Sequence, residues 1–215
     1  MKNKRLLKIA NHIQEGMIVA DIGTDHAFLP VYLMKNKMAK KAYACDVVKG
    51  PLEAAKKSIQ EANLQQQIDI ILSDGFENVP LDANVAVIAG MGYHTAVKIL
   101  EDAKERLPHF EQIFIEINKD VQRLRQYISD HNYTIRNEYV VEERGFFYII
   151  IEMDCTFHEA YAKEEILYGT ASLFLDDEFP AYQQKRIEQI KALLSKVKDE
   201  KKRVELKNEL AYWQK

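Results

Sequence analysis

Residues 19–30 read VADIGTDHAFLP, so Asp21, Asp25 and His26 crowd around Gly23 where the apolar run Met17 to Ala20 ends. Two carboxylates and an imidazole at such a turn can hold a cation, accept hydrogen bonds from an amine, or stabilise a group that becomes positive as it reacts. A phosphate fits poorly. The dinucleotide fingerprint wants glycine where Asp25 stands, because its second Gly lets the backbone approach a pyrophosphate. Three later clusters share the character of the first: Cys45-Asp46-Val47, Ser73-Asp74-Gly75 and Gly90-Met91-Gly92-Tyr93. A carboxylate offers two acceptor oxygens, so Asp46 suits the cis diol of a ribose and Asp74 the exocyclic amine of an adenine, with Gly75 letting the ring come close. Asp21 and Gly23 would then face an ammonium and a sulfonium, which call for negative potential. Each of these groups has a physical reason to be there if the ligand is S-adenosyl-L-methionine, with Val47 and Met91 as apolar neighbours in its binding loops. Gly90 and Gly92 also leave room for a second flat base, on which Met91 or Tyr93 can pack; stacking on an aromatic ring is worth about 1 to 3 kcal/mol.

Such clusters act together only if a fold brings them to one edge. From Met17 to about Met153, strand-like and helix-like segments alternate, the pattern of a parallel sheet covered by helices. An amphipathic helix over Lys4 to Gln14 precedes strands at Met17 to Ile22, Lys41 to Asp46, Ile68 to Ser73, Val85 to Ala89 and Gln112 to Ile117. Helices are expected over Leu29 to Asn36, Pro51 to Ala62, Tyr93 to Arg106 and Asp120 to His131. Each of the four clusters follows one of the first four strands, and ligands of open α/β sheets lie beyond the carboxyl ends of their strands. Two β-rich runs, Tyr133 to Glu142 and Phe146 to Asp154, flank the turn Glu143-Arg144-Gly145 and close the sheet with a hairpin. That ending is typical of a Rossmann-like class I methyltransferase sheet and differs from a six-stranded nicotinamide dehydrogenase.

After Asp154 the composition changes. Helix is expected over Glu159 to Phe174, a break over Asp176 to Pro180, and one or two long helices over Ala181 to Trp213, turning near Lys198 to Lys202. Ile187, Ile190, Leu194, Val197 and then Val204 recur at alternating three- and four-residue steps with Lys201 filling one slot, which suggests a helical pair or short coiled coil. The expected division is therefore an α/β domain over 1–154 with its N-terminal helix, and a C-terminal α-helical, coiled-coil-like domain over 155–215. The net charge of −3 does not by itself favour nucleic acid, but its distribution is uneven. Lys2, Lys4, Arg5 and Lys8 face only Glu15 in the first fifteen residues, and residues 179–215 hold ten basic against five acidic side chains. Segregated charge of this kind leaves basic surfaces for a polyanion. No apolar run approaches the roughly 20 residues that cross a bilayer, and the N-terminus lacks a signal core, so a cytoplasmic location without membrane attachment is expected. Cys45 and Cys155 have no paired spacing; they read as buried apolar residues, with neither a disulfide framework nor a metal site.

Taken in order, DIGTDHAFLP, CDVVKGP, LSDGFENV and VIAGMG resemble the bacterial tRNA adenine-22 N1-methyltransferases of the TrmK type. The resemblance spans essentially the whole chain, including KRLLKIANHI and the helical C-terminal extension. It implies an S-adenosyl-L-methionine-dependent enzyme that methylates N1 of an adenine in tRNA. By motif position it implies cofactor contacts at Asp21, Gly23, Asp46, Asp74, Gly75 and Gly90, an active-site acid at Asp25, and substrate-side positions at Arg5 and His26. Two departures stand out: Tyr93 replaces a glycine of the family, and Glu116-Ile117-Asn118 stands where the family has Gln-Pro-Asn, with Asn118 aligned to the asparagine. Gly92, Tyr93 and Asn118 are accordingly expected around the target base. Arg5, Lys2 and Lys4 are candidate phosphate contacts, and a monomer is expected. Competing classes are a methyltransferase for another RNA base or a small molecule, and a non-catalytic RNA-binding protein that kept a relic cofactor fold.

Overall fold

A computed structural model describes residues 3–214, so Lys2 lies outside the described residues. The chain runs α1 (Lys4–His12), β1 (Met17–Ile22), α2 (Phe28–Lys35), β2 (Ala39–Asp46), α3 (Lys49–Glu61), β3 (Ile68–Leu72), β4 (Val85–Met91), α4 (Tyr93–Asp102), β5 (Gln112–Ile117), α5 (Val121–Asp130), β6 (Thr134–Glu143) and β7 (Phe146–Asp154). The seven strands form one sheet in the order β3-β2-β1-β4-β5-β7-β6. The first five are parallel, while β7 runs antiparallel to both β5 and β6. This is the class I methyltransferase arrangement, with the strand order reversing beside β1. At such a switch point the loops after β1 and β4 splay apart and leave a crevice.

Strand β1 sits mid-sheet, and alternate residues serve opposite faces. Ala20 and Ile22 pack under α4 and α5, whereas Val19 packs with Leu29 and Leu33 of α2 and Ile9 of α1. Helix α1 begins at Asn3, whose side chain accepts the Leu6 N–H, and it buries Ile9 and Ala10. Of the cysteines, Cys45 is buried as expected, whereas Cys155 is only partly so, and both are free.

Beyond the sheet the structure departs from expectation in three places. The helix expected over Glu159 to Phe174 shrinks to α6 (Lys163–Tyr168) plus a 3-10 turn at Leu173–Leu175. Gly169, at φ +119, ends α6 in a conformation closed to other residues, and a Cβ there would strike Leu173. Helix α7 (Phe179–Leu194) starts inside the expected break, because Pro180 fits the first turn of a helix. Helix α8 (Glu200–Trp213) starts where Asp199 accepts the Lys202 N–H, so the turn falls just before the expected one. The heptad-like series therefore does not continue across the turn, and Val204 is exposed. The two helices are antiparallel: Gln183 donates to the Trp213 carbonyl, and Arg186 pairs with Glu209. Phe179, Ile190, Leu206 and Trp213 join the same apolar cluster as the sheet face beneath α4 and α5. Among the described residues no helix is long and apolar enough to cross a membrane.

Candidate active site

The first loop is held by its neighbour strand. Gly23 and Thr24 both donate backbone N–H groups to the Cys45 carbonyl at 2.8 Å, so the chain leaves β1 in a tight turn with Gly23 at φ +75. His26 and Ala27 follow, both left-handed, at φ 55 and 53. Consecutive non-glycine residues in that region carry strain, which collects at functional loops. Ala27 is the N-cap of α2 and offers no side-chain acceptor, and Asp25 does not cap the helix with its carboxylate either; only its carbonyl accepts the Phe28 N–H. The Asp25 side chain is 78% exposed, with His26 Nε2 at 3.3 Å. His26 in turn stacks on Phe28.

Asp21 is the opposite case. It is buried, and its Oδ2 accepts the Thr24 hydroxyl at 2.6 Å. Burial pushes its carboxyl up to about 6; the negative charges of Asp25 and Asp46 add to the rise, and the Thr24 hydroxyl opposes it. Among the described residues no basic side chain pairs with it.

A cavity of about 1020 Å³ opens here, walled by Asp21, Gly23, Asp25, His26, Gly90 and Arg5. Glu116, Glu143 and Arg144 also line it. The Gly90 peptide is clamped from both ends: its N–H donates to Glu116 Oε2 at 3.0 Å, and its carbonyl accepts Asn118 Nδ2 at 3.2 Å. Asn118 also donates its own N–H to the Met91 carbonyl. Met91 then lies over Gly23, where a Cβ would collide with its methyl. The φ of +75 favours glycine there, and a Cβ would also make the flexible end of Met91 move aside.

Residues 2–151 match the family described as "Methyltransferase domain". Over 150 residues the chain is 33% identical to the Bacillus subtilis (strain 168) tRNA (adenine(22)-N(1))-methyltransferase, covering 69% of this chain and 63% of that relative, less than two thirds of its length. The structure of M. capricolum TrmK in complex with S-adenosyl-homocysteine is 30% identical and superimposes with a TM-score of 0.82 over 99% of this chain and 96% of that one. The chain belongs to the TrmK methyltransferase family. A Streptococcus pneumoniae protein solved in complex with S-adenosyl-L-methionine is likewise similar, at 27% identity and a TM-score of 0.85, covering 100% of this chain and 98% of that chain.

Within this TrmK-family fold the expected residues divide into two groups. Asp21, Gly23, Asp25, His26, Gly90 and Arg5 meet in the cavity. The others do not line it. Asp46 ends β2 with its Oδ1 accepting the Val48 N–H, and Val47 is exposed. Asp74 is 58% exposed, with Lys98 Nζ at 3.5 Å, and Gly75 packs on Ile99. Gly92 is the N-cap of α4. Tyr93 turns to α5, where the Arg123 guanidinium lies 4.1 Å over its ring, and Asn118 works from behind the β4 loop. Arg5 is fully engaged: Glu116 and Glu143 take its guanidinium at 3.0 and 3.1 Å, and it lies over Tyr148. Lys4 pairs with Glu142. Sequence reading missed Glu116 as a wall residue, and Arg144, which the hairpin turn leaves exposed at the cavity. The signal for Glu116 was a carboxylate next to the apolar run Ile113 to Ile115 of β5. Among the described residues no group of three or more His, Cys, Asp or Glu could hold a metal ion.

Proposed function

We propose that the chain transfers a methyl group from S-adenosyl-L-methionine to N1 of an adenine in tRNA, at position 22. The adenine-22 N1-methyltransferase activity of the B. subtilis relative supports the acceptor, and the S-adenosyl ligands of the two solved relatives support the donor. One observation carries the reading: a buried Asp21 without a basic partner and an exposed Asp25 share one cavity. At about 1020 Å³ it reaches the upper end of the roughly 300 to 1,000 Å³ common for ligand sites. The donor fits Asp21 on charge, since a buried carboxylate without a counter-ion is stabilised by an arriving cation.

When bound, S-adenosyl-L-methionine supplies a methyl carbon made electrophilic by its sulfonium. Asp21 and Asp46 hold negative potential where a cationic ligand must sit, and Asp46 keeps Oδ2 for a ribose hydroxyl. Asp74 and Gly75 would hold the ligand's adenine side and Val47 and Met91 would cover apolar surface, while Gly23 gives Met91 room. Adenine N1 already carries a lone pair, so no residue has to remove a proton before attack. The methylated ring is cationic. Asp25 accepts an N–H of the exocyclic amine, orients the base and stabilises that charge as it grows; the excess proton can leave to Asp25 or to water. His26 steadies the Asp25 carboxylate, Asn118 and Gly92 set the loop under the base, and Tyr93 braces that loop through Arg123. N1 lies on the pairing edge, so the base must leave its stack to react.

Residues 1–154 do the chemistry in this reading, and 155–215 add RNA contacts. Lys191, Lys196, Lys198, Lys201, Lys202 and Lys207 are all exposed on or between α7 and α8. Arg5 acts on the cavity wall, and the exposed Arg144 and Lys35, which also line the cavity, are the cations for a phosphate. The protein works as a monomer in the cytoplasm. Labelled methyl transfer to unmodified tRNA, with nucleoside mapping, tests the proposal and should yield 1-methyladenosine. Label on another base or on a small molecule, or tRNA binding without transfer, overturns it.

A further inference from the structure

Glu116 has a hydrogen-bonding capacity that neither the fold nor the reaction above uses. Its side chain is 1% exposed, and both of its bonds fall on one oxygen: Oε2 accepts from Arg5 Nη1 and from the Gly90 N–H, each at 3.0 Å. Oε1 is closed to water and has no hydrogen-bond partner. Buried carboxylate oxygens are nearly always paired, and one left alone in the wall of a ligand cavity calls for a donor that arrives with the ligand. Glu116 lines the same cavity as Asp25 and Gly90.

We propose that Glu116 Oε1 accepts the second N–H of the target adenine's exocyclic amine, so that Glu116 and Asp25 together read that amine. This rests on the adenine-methyltransferase reading of the site. The exocyclic amine carries two N–H groups, and one acceptor satisfies only one of them. Methylation at N1 makes the ring cationic and the amine more acidic, so both bonds strengthen toward the transition state, where binding accelerates the reaction. Guanine would present a carbonyl oxygen to the same carboxylates and be repelled. A glutamine could keep its carbonyl on the Gly90 N–H, but its other terminal atom would be a donor. Arg5 balances the charge that the glutamate brings.

The test compares Glu116→Gln with the unchanged protein on two RNAs, one with adenine at the target and one with purine ribonucleoside, which keeps N1 and lacks the amine. Purine N1 is the weaker nucleophile in both proteins, so that difference cancels in the ratio. The preference for adenine over purine in kcat/KM should shrink about tenfold or more in the variant, because an acceptor built for a substrate N–H penalises its absence. Arg5→Gln alters the ion pair and leaves Oε1 in place, so it should lower both rates together. An unchanged adenine-to-purine ratio in Glu116→Gln overturns the proposal, and Glu116→Ala gives the same readout should the glutamine variant not fold. Failure of the unchanged protein to methylate any RNA adenine is a different result, and it removes the function reading itself.

Discussion

Asp25 and Asp21 have the same side chain and opposite surroundings, and their variants should differ accordingly. Asp25→Asn should lower kcat about a hundredfold, the scale of losing one group aimed at developing charge, while calorimetry finds S-adenosylhomocysteine affinity nearly unchanged. Asp21→Asn should do the reverse to stability. The folded Asp21 carboxyl titrates at about 6, against about 3.9 for a free aspartate. Between those values the folded chain holds a proton that the unfolded chain has lost, so its stability falls as pH rises from 4 through 6 and stays lowered above. The cost is about 3 kcal/mol. The urea midpoint of Asp21→Asn should therefore exceed that of the unchanged protein at pH 7.5 and match it near pH 4. Affinity for S-adenosyl ligands should fall in this variant, and in the unchanged protein as pH drops through 6. The two arginines at the cavity should also separate. Arg144→Ala should weaken tRNA binding and shallow its salt dependence by about one phosphate contact. Arg5→Ala should lower stability, since it strands the buried Glu116. Asp21, Gly23, Asp25, His26 and Gly90 were legible as a site because strand-end carboxylates and glycines announce themselves locally. Glu116 was not: its partner Arg5 lies 111 residues away, and nothing local in a buried strand marks a long-range ion pair.

Elements were legible where one force set them. The bounds of β1, β5 and β7 match the apolar runs that form them, and the closing hairpin follows from β-branched residues around a glycine turn. The segment after β7 was misread as one helix because its helical periodicity is real but overridden. Thr170 donates its N–H and hydroxyl to Glu138, which also receives Arg125, and that buried knot bends the chain at Gly169. The loop after β1 likewise depends on a tertiary fit. Gly23→Ala should lower the melting temperature for two reasons: φ +75 disfavours a side chain by about 1 kcal/mol, and Met91 must move. Adding Met91→Ala should relieve the second cost and leave the first, so the double variant should be less destabilised than the sum of its singles.

At the scale of the whole molecule, the helices after Asp154 are not an independent appendage in energetic terms. Glu138 of β6 and Arg125 of α5 form a buried pair completed by Thr170, and Phe179 and Trp213 close over the sheet's own cluster. Ending the chain at Asp154 should therefore lower the urea midpoint sharply or prevent folding. The charge segregation seen in the sequence becomes a molecule with an acidic cavity and lysine-covered helices, so raising salt should weaken tRNA binding more than it weakens binding of S-adenosylhomocysteine. Trp213, the only tryptophan of the chain, lies 3% exposed against Tyr168, Phe179 and Tyr182 at the end of α8. Its intrinsic fluorescence is thus a built-in optical label for the seating of the helical hairpin. A red shift in emission that precedes the loss of far-ultraviolet dichroism would time the hairpin's release apart from the melting of the sheet, without any dye attached.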